Sequence, residues 1–280
     1  MDLRYPLIDV DSAEPIDVGN GVTAGNDLRL FTDIPEIKSA LAYYLTIPPG
    51  GSRGRQINRN ADEALILLQG GGVAGVGSET AAMNAGHCQF IPKGQEHFFV
   101  NTGDSDAVLV GYYLGVTEAD AIGLENTTPA TPADAAGAGT AIAEGIFVHL
   151  DDVAQENMNK GEGWNITDFR LPLSAKNGCT STLFRARFFP GAVHAKHEHE
   201  NCEEIYFVIS GHGLAGAGPD RVEVHGGQFH YIPSGVEHWL HNLSDTDPIE
   251  VVGIYVGAGS VAETGYVFKG NVTEDDLQTD

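Results

Sequence analysis

Gly191-Ala-Val-His-Ala-Lys-His197-Glu-His199-Glu-Asn-Cys-Glu-Glu204-Ile-Tyr-Phe-Val-Ile-Ser-Gly211 is the stretch on which the reading of this chain turns. It holds His-x-His, then a Glu five residues after the second His, then a short apolar run that stops at Gly. Residues two apart on a strand share a face, so His197 and His199 point the same way. Glu204 opens the next strand, and Tyr206 and Val208 share its face. Downstream, Gly227-x5-Pro233-x-Gly235-x2-His238-x3-Asn242 brings a third imidazole from a further strand. Leu240 and Asn242 share its face. Three imidazoles and a carboxylate suit a divalent first-row transition metal. They leave two positions open on an octahedral ion for water, dioxygen or a chelating substrate.

The same frame is written a second time. A shift of 141 residues (191 − 50) lays Gly50 on Gly191, Glu63 on Glu204 and Gly70 on Gly211. It also lays Gly86 on Gly227, Pro92 on Pro233, Gly94 on Gly235, His97 on His238 and Asn101 on Asn242. Asp27-Leu-Arg29 falls on Asp168-Phe-Arg170. One constant offset over so many turn residues indicates a duplicated domain. Within each copy the runs are short, apolar and bounded by Gly or Pro, as at Leu65–Leu68, Leu183–Phe189, Ile205–Ile209, Gln228–Ile232 and Val251–Val256. That pattern predicts an all-β sandwich or barrel, and no long stretch of helical period interrupts it.

These motifs resemble the cupin superfamily, and the likeness extends over both halves. The resemblance implies two tandem double-stranded β-helix (jelly-roll) barrels. The expected division is a first barrel in residues 1–120, a Pro-punctuated linker in 121–146 and a second barrel in 147–280. It also implies that His197, His199, Glu204 and His238 ligate one divalent transition metal per chain, with Fe, Mn or Ni ahead of Zn, Cu or Co. In the first copy the offset puts Gln56 at the place of His197 and Asn58 at that of His199. Amide oxygens are weaker donors for late first-row metals, so no tightly held transition metal is expected there. The remaining Glu63 and His97 could still pair with each other by a hydrogen bond.

Three functions follow as expectations. The first is a dioxygenase-type oxidoreductase acting on a small organic molecule such as a 1,2-diketone, flavonol or hydroxy-aromatic acid. Tyr206 is the candidate catalytic residue, and Arg185 and Arg187 are possible substrate-orienting groups. The second is a non-redox isomerase, lyase, decarboxylase or aminohydrolase. The third is a non-enzymatic binding protein; the intact ligand set argues for catalysis instead. Glu203 is expected to be solvated, Trp239 to face away from the site, and His194, if its strand is regular, to have the wrong parity for a ligand while still being able to serve at the pocket mouth.

A formal net charge of −24, from 39 Asp+Glu against 15 Lys+Arg, repels nucleic acid and anionic membranes. Three Cys without a C-x-x-C pair argue against a disulfide framework. No signal peptide or membrane-spanning run is evident. The expectation is a cytoplasmic protein that takes a small-molecule substrate and forms a homodimer or larger homo-oligomer. The acidic tail from Val272 is expected to be mobile or loosely docked.

Overall fold

The short apolar runs become strands of two antiparallel jelly rolls. The computed structural model describes residues 4–15, 26–32, 34–135, 146–157 and 166–278. Residues 136–145 of the expected linker and the last two of the acidic tail lie outside them. Helical structure among the described residues is limited to short 3-10 turns, and no helix there is long and apolar enough to cross a membrane.

Each jelly roll has a six-stranded and a five-stranded sheet. In the second half the large sheet runs in the order Leu7–Asp9, Gln228–Ile232, Glu203–Ser210, Ile249–Val256, Thr182–Phe188, Thr167–Leu173. Its small sheet runs Asp220–His225, His212–Ala217, His238–His241, Val193–His199, Tyr266–Gly270. The first half repeats the plan. Its large sheet is Phe147–His149, His87–Ile91, Asp62–Gln69, Ala107–Leu114, Ala40–Ile47, Asp27–Phe31. Its small sheet includes Gln56–Asn58 beside Glu96–Asn101.

The outer strand of each large sheet comes from the other side of the molecule. Leu7–Asp9, at the start of the chain, pairs with Gln228–Ile232 of the second barrel. Phe147–His149, at the start of the range expected for the second barrel, pairs with His87–Ile91 of the first. Arginines at matching positions pin both arms. Arg29 donates to the carbonyls of Val10 and Ala13, and Arg170 to those of Leu150 and Val153. Part of the expected linker is also built in: Leu124–Asn126 lies along Gln56–Asn58 as an added strand.

Among the described residues, strand alternation divides most of the buried apolar side chains between three large cores, with a small fourth cluster around Phe98. Ile205, Phe207, Val252 and Ile254 from one large sheet meet Ala64, Ile66, Val110 and Tyr112 from the other. Tyr206, Val208, Val251 and Tyr255 point instead into the second barrel. Leu65, Leu67, Leu109 and Tyr113 fill the first. Glu203 departs from the expectation of a solvated carboxylate. It is 8% exposed and accepts hydrogen bonds from the Lys38 and Ser39 amides and the Ser39 hydroxyl, across the junction between barrels. The tail is docked rather than mobile at Asp276, which pairs with Lys196 at 2.9 Å and Arg221 at 3.2 Å.

Candidate metal centre

Four side chains converge inside the second barrel. His197, His199, Glu204 and His238 are all buried, and one potential ligand atom from each lies within 4.8 Å of the others. The strand Val193–His199 supplies the first two, Glu203–Ser210 the third and His238–His241 the fourth. Left-handed glycines set the turns between them: Gly211 has φ 84° and Gly235 has φ 75°.

The hydrogen bonds orient the rings. His197 Nδ1 lies 2.7 Å from the Ala195 carbonyl, and His238 Nδ1 lies 2.9 Å from the Val236 carbonyl. A carbonyl only accepts, so each Nδ1 carries the proton and each Nε2 presents its lone pair to the cluster. His238 Nε2 and His199 Nε2 stand 3.1 Å and 3.3 Å from Glu204 Oε2. For His238 this sets a lone pair against a carboxylate oxygen, an arrangement that a shared cation relieves. The donor set therefore fits a divalent transition metal.

Burial first, then the neighbouring His194, His238 and His199, push the His197 imidazole well below its ordinary pKa, into the neutral form a ligand needs. Burial raises the Glu204 carboxyl; positive charge at His238 and His199 overcomes it and holds the group well below the usual carboxylate range, a charge that a bound cation would supply once those rings are neutral.

A pocket opens over the cluster. Its walls include Phe169, Phe184, Phe188, Leu240, Tyr206 and Tyr255, and its free volume is about 30 Å³. The Tyr206 hydroxyl sits 2.7 Å from His230 Nδ1, a buried pair at the side of this wall. Three expectations are met or corrected here. Trp239 borders the pocket between His238 and Leu240, but its ring faces away as expected, lying over Gly216 and under Arg221 on the outer face of the small sheet. Arg185 and Arg187 point out of the barrel, because Phe184, Ala186 and Phe188 take the inward positions of that strand. They line a separate cavity of about 350 Å³ together with Asp168 and Glu250. His194 also lines the site, its ring stacked on His197 at 3.8 Å. The pairing of Val193–His199 with His238–His241 shifts register between His194 and His197, and that irregularity undoes the strict alternation.

The first barrel holds a different cluster at the matching place. Arg53 donates through Nη1 to Glu63 Oε1 at 2.5 Å and through Nη2 to Glu63 Oε2 at 3.0 Å. Nη2 also donates to the Tyr113 hydroxyl at 2.8 Å. The Gln56 amide, turned to satisfy its neighbours, accepts from Arg53 Nε at 2.9 Å and Nη2 at 2.7 Å. Asn58 Nδ2 and the Tyr43 hydroxyl donate to the same carboxylate, at 2.8 Å and 2.5 Å. A Glu63–His97 hydrogen bond is not formed: the two stand 3.6 Å apart and Arg53 takes the carboxylate. The offset that aligns the motifs also lays Arg53 on His194 (53 + 141), so the signal for both residues lay in the sequence.

With this geometry in hand, comparison with known proteins places the chain. The cupin domain family model matches residues 43–113 and again 184–255. The chain belongs to the cupin family. An oxalate-binding protein of Thermotoga maritima is 26% identical over 106 residues, 37% of this chain and 88% of the relative. An uncharacterised Streptomyces coelicolor protein is 36% identical over 50 residues, 18% of this cupin and 48% of that protein. Among solved structures, a Trp-to-Tyr variant of the oxalate decarboxylase of Bacillus subtilis superposes with TM-score 0.69 at 15% identity, covering 94% of this chain and 78% of that one. The Lactobacillus farciminis oxalate decarboxylase–formate complex gives TM-score 0.71 at 13% identity, covering 96% and 89%. At such identities these structures show the shared two-barrel fold.

Proposed function

We propose that this cupin is a metal-dependent enzyme whose second barrel binds one divalent transition metal through His197, His199, Glu204 and His238, and that it acts on a small oxygen-chelating organic anion. The observation that carries the reading is the convergence of four buried donors under a small aromatic pocket. When bound, such a metal supplies Lewis acidity and, if it is Fe, Mn, Ni or Cu, a redox partner for dioxygen.

The remaining selectivity comes from the chain's own residues. The pocket over the cluster is narrow and walled mainly by aromatic and aliphatic side chains, which favours a compact chelator over an extended one such as a flavonol. Among the described residues no Lys or Arg lines this pocket. A divalent cation against the Glu204 carboxylate leaves a single positive charge. A monoanionic enolate, as from a small 1,2-diketone, brings the buried site to neutrality. A dianion leaves one negative charge with no cation to pair it. This charge balance favours dioxygenase-type oxidation of a small enolate. Tyr206, held by His230, is the proposed catalytic side chain, and Tyr255 offers a second hydroxyl in the wall.

The second reading is oxalate chemistry: the named relative is an oxalate-binding protein, and decarboxylation is a metal-assisted reaction open to oxalate once bound. Oxalate also fits the pocket's small volume, at the expense of the extra charge. One assay separates the two. Protein loaded with Fe or Mn is given a small 1,2-diketone or oxalate, with and without air. Oxygen uptake matched to loss of diketone supports the first reading, and formate released from oxalate supports the second. Loaded protein that turns over neither is not the enzyme described here.

A further inference from the structure

We propose that Arg53 is a built-in cation occupying the place of the metal in the first barrel, and that the residue at this position, Arg53 in one copy and His194 in the other, decides which barrel loads metal. The inference rests on the metal reading of the second barrel.

The two clusters are the same frame with the positive charge supplied in different ways. Glu63 corresponds to Glu204, Gln56 to His197, Asn58 to His199 and His97 to His238. The Arg53 guanidinium contacts Glu63, Gln56 and Tyr113. Tyr113 occupies the position of Tyr255, since each pairs with the Glu of its own barrel, Tyr113 with Glu63 and Tyr255 with Glu204. Both members of the Arg53–Glu63 pair are buried, at 5% and 0% exposure. A guanidinium only donates hydrogen bonds, always carries its charge, and suits a carboxylate in two-point contact.

The other substitutions in the first copy follow from that cation. An amide oxygen at Gln56 accepts two Arg53 N–H groups, and the Asn58 amide N–H donates to the carboxylate the Arg does not fully satisfy. A neutral imidazole offers one acceptor or one donor on each nitrogen and is the better metal ligand. In the second barrel His194 lies flat against His197 and contributes a ring without a fixed charge. There Glu204 faces imidazole nitrogens, and among the described residues no Lys or Arg lines the site. A fixed cation at position 194 would repel a divalent ion and compete for Glu204.

The test is metal content per chain by elemental analysis, after reconstitution with Mn, Fe, Ni or Zn and gel filtration, with circular dichroism confirming the fold. Wild type is expected to hold about one ion and H194R to bind at least about tenfold more weakly, as like charges at contact distance require. H194Q, which removes the imidazole without adding charge, is expected to keep its ion. The triple variant R53H/Q56H/N58H is expected to hold about two ions per chain. A full ion in folded H194R overturns the proposal and leaves the metal reading standing. Metal loss in H194Q also overturns it, since His194 would then act as a ligand. A triple variant that stays at one ion overturns it from the other side. Wild type that holds no ion under any reconstitution removes the metal reading itself.

Discussion

Replacing Arg53 by Met removes a buried guanidinium and keeps a side chain of useful length. Glu63 is wholly enclosed. Burial pushes its carboxyl up, but Arg53, then His97, pull it down to about 2 from an ordinary 4.5. That difference corresponds to about 3 kcal/mol of stability. Because the folded-state value is lowered, the contribution is complete above about pH 4.5 and is lost as the pH falls toward 2. In R53M the carboxylate is left buried without its cation, and the loss at about pH 7 is expected to be roughly 3–5 kcal/mol. For a domain of this size that is a fall in Tm on the order of 10 °C. Burial now holds the Glu63 carboxyl above its ordinary value. The penalty is therefore greatest near neutrality and shrinks on acidification, as Glu63 takes up a proton. The assay is urea and thermal unfolding followed by circular dichroism, with excess chelator so that metal in the second barrel does not contribute. R53M/E63L, which removes both charges, is expected to recover at least about half of the loss. An R53M protein within about 0.5 kcal/mol of wild type, or a double variant no more stable than the single one, refutes the reasoning.

Three further outcomes are expected. Burial, reinforced by Arg53 at His97 and by His238 at His230, keeps His97 at about 4 and His230 at about 3; the unfolded chain then takes up these protons first. Metal-free protein should lose stability as pH drops from about 6.5 toward 4, and a Tm that is flat or rises over that range contradicts it. Y206F loses the 2.7 Å contact with His230; it should retain its metal but turn over at least about tenfold more slowly in steady-state assays, and unchanged kcat removes Tyr206 from the chemistry. In G216A the new methyl would lie 2.2 Å from Trp239 Nε1; the indole must shift from its seat on the outer face of the sheet at a cost of about 1–3 kcal/mol, seen as altered Trp fluorescence and a lower Tm.

Much of the barrel plan was legible because it rests on local rules. Gly and Pro mark strand ends, alternation predicts that Glu204, Tyr206 and Val208 share an inward face, and the constant offset exposes the duplication. What was hidden depends on contacts distant in sequence. The register shift beside His194 breaks a parity argument that assumed regular strands. Glu203 finds its partners 164 and 165 residues away, on the other barrel. The exchanged arms are three-residue strands whose partners lie far along the chain. Arg185 and Arg187 share a face, as alternation requires, but only packing shows that the Phe residues take the inside. Arg53 lay in plain view at the position of His194, yet a lone Arg between Ser52 and Gly54 carries no local signature of burial. Its role emerges only when Glu63 and Tyr113 are brought to it.

The most direct test of the account is elemental analysis of this cupin, purified without added metal, beside its H197A, H238A and Q56A variants. Wild type and Q56A are expected to carry about one Fe, Mn or Ni per chain, and H197A and H238A nearly none. Metal retained in folded H197A and H238A, or lost in Q56A, would contradict the placement of the centre in the second barrel.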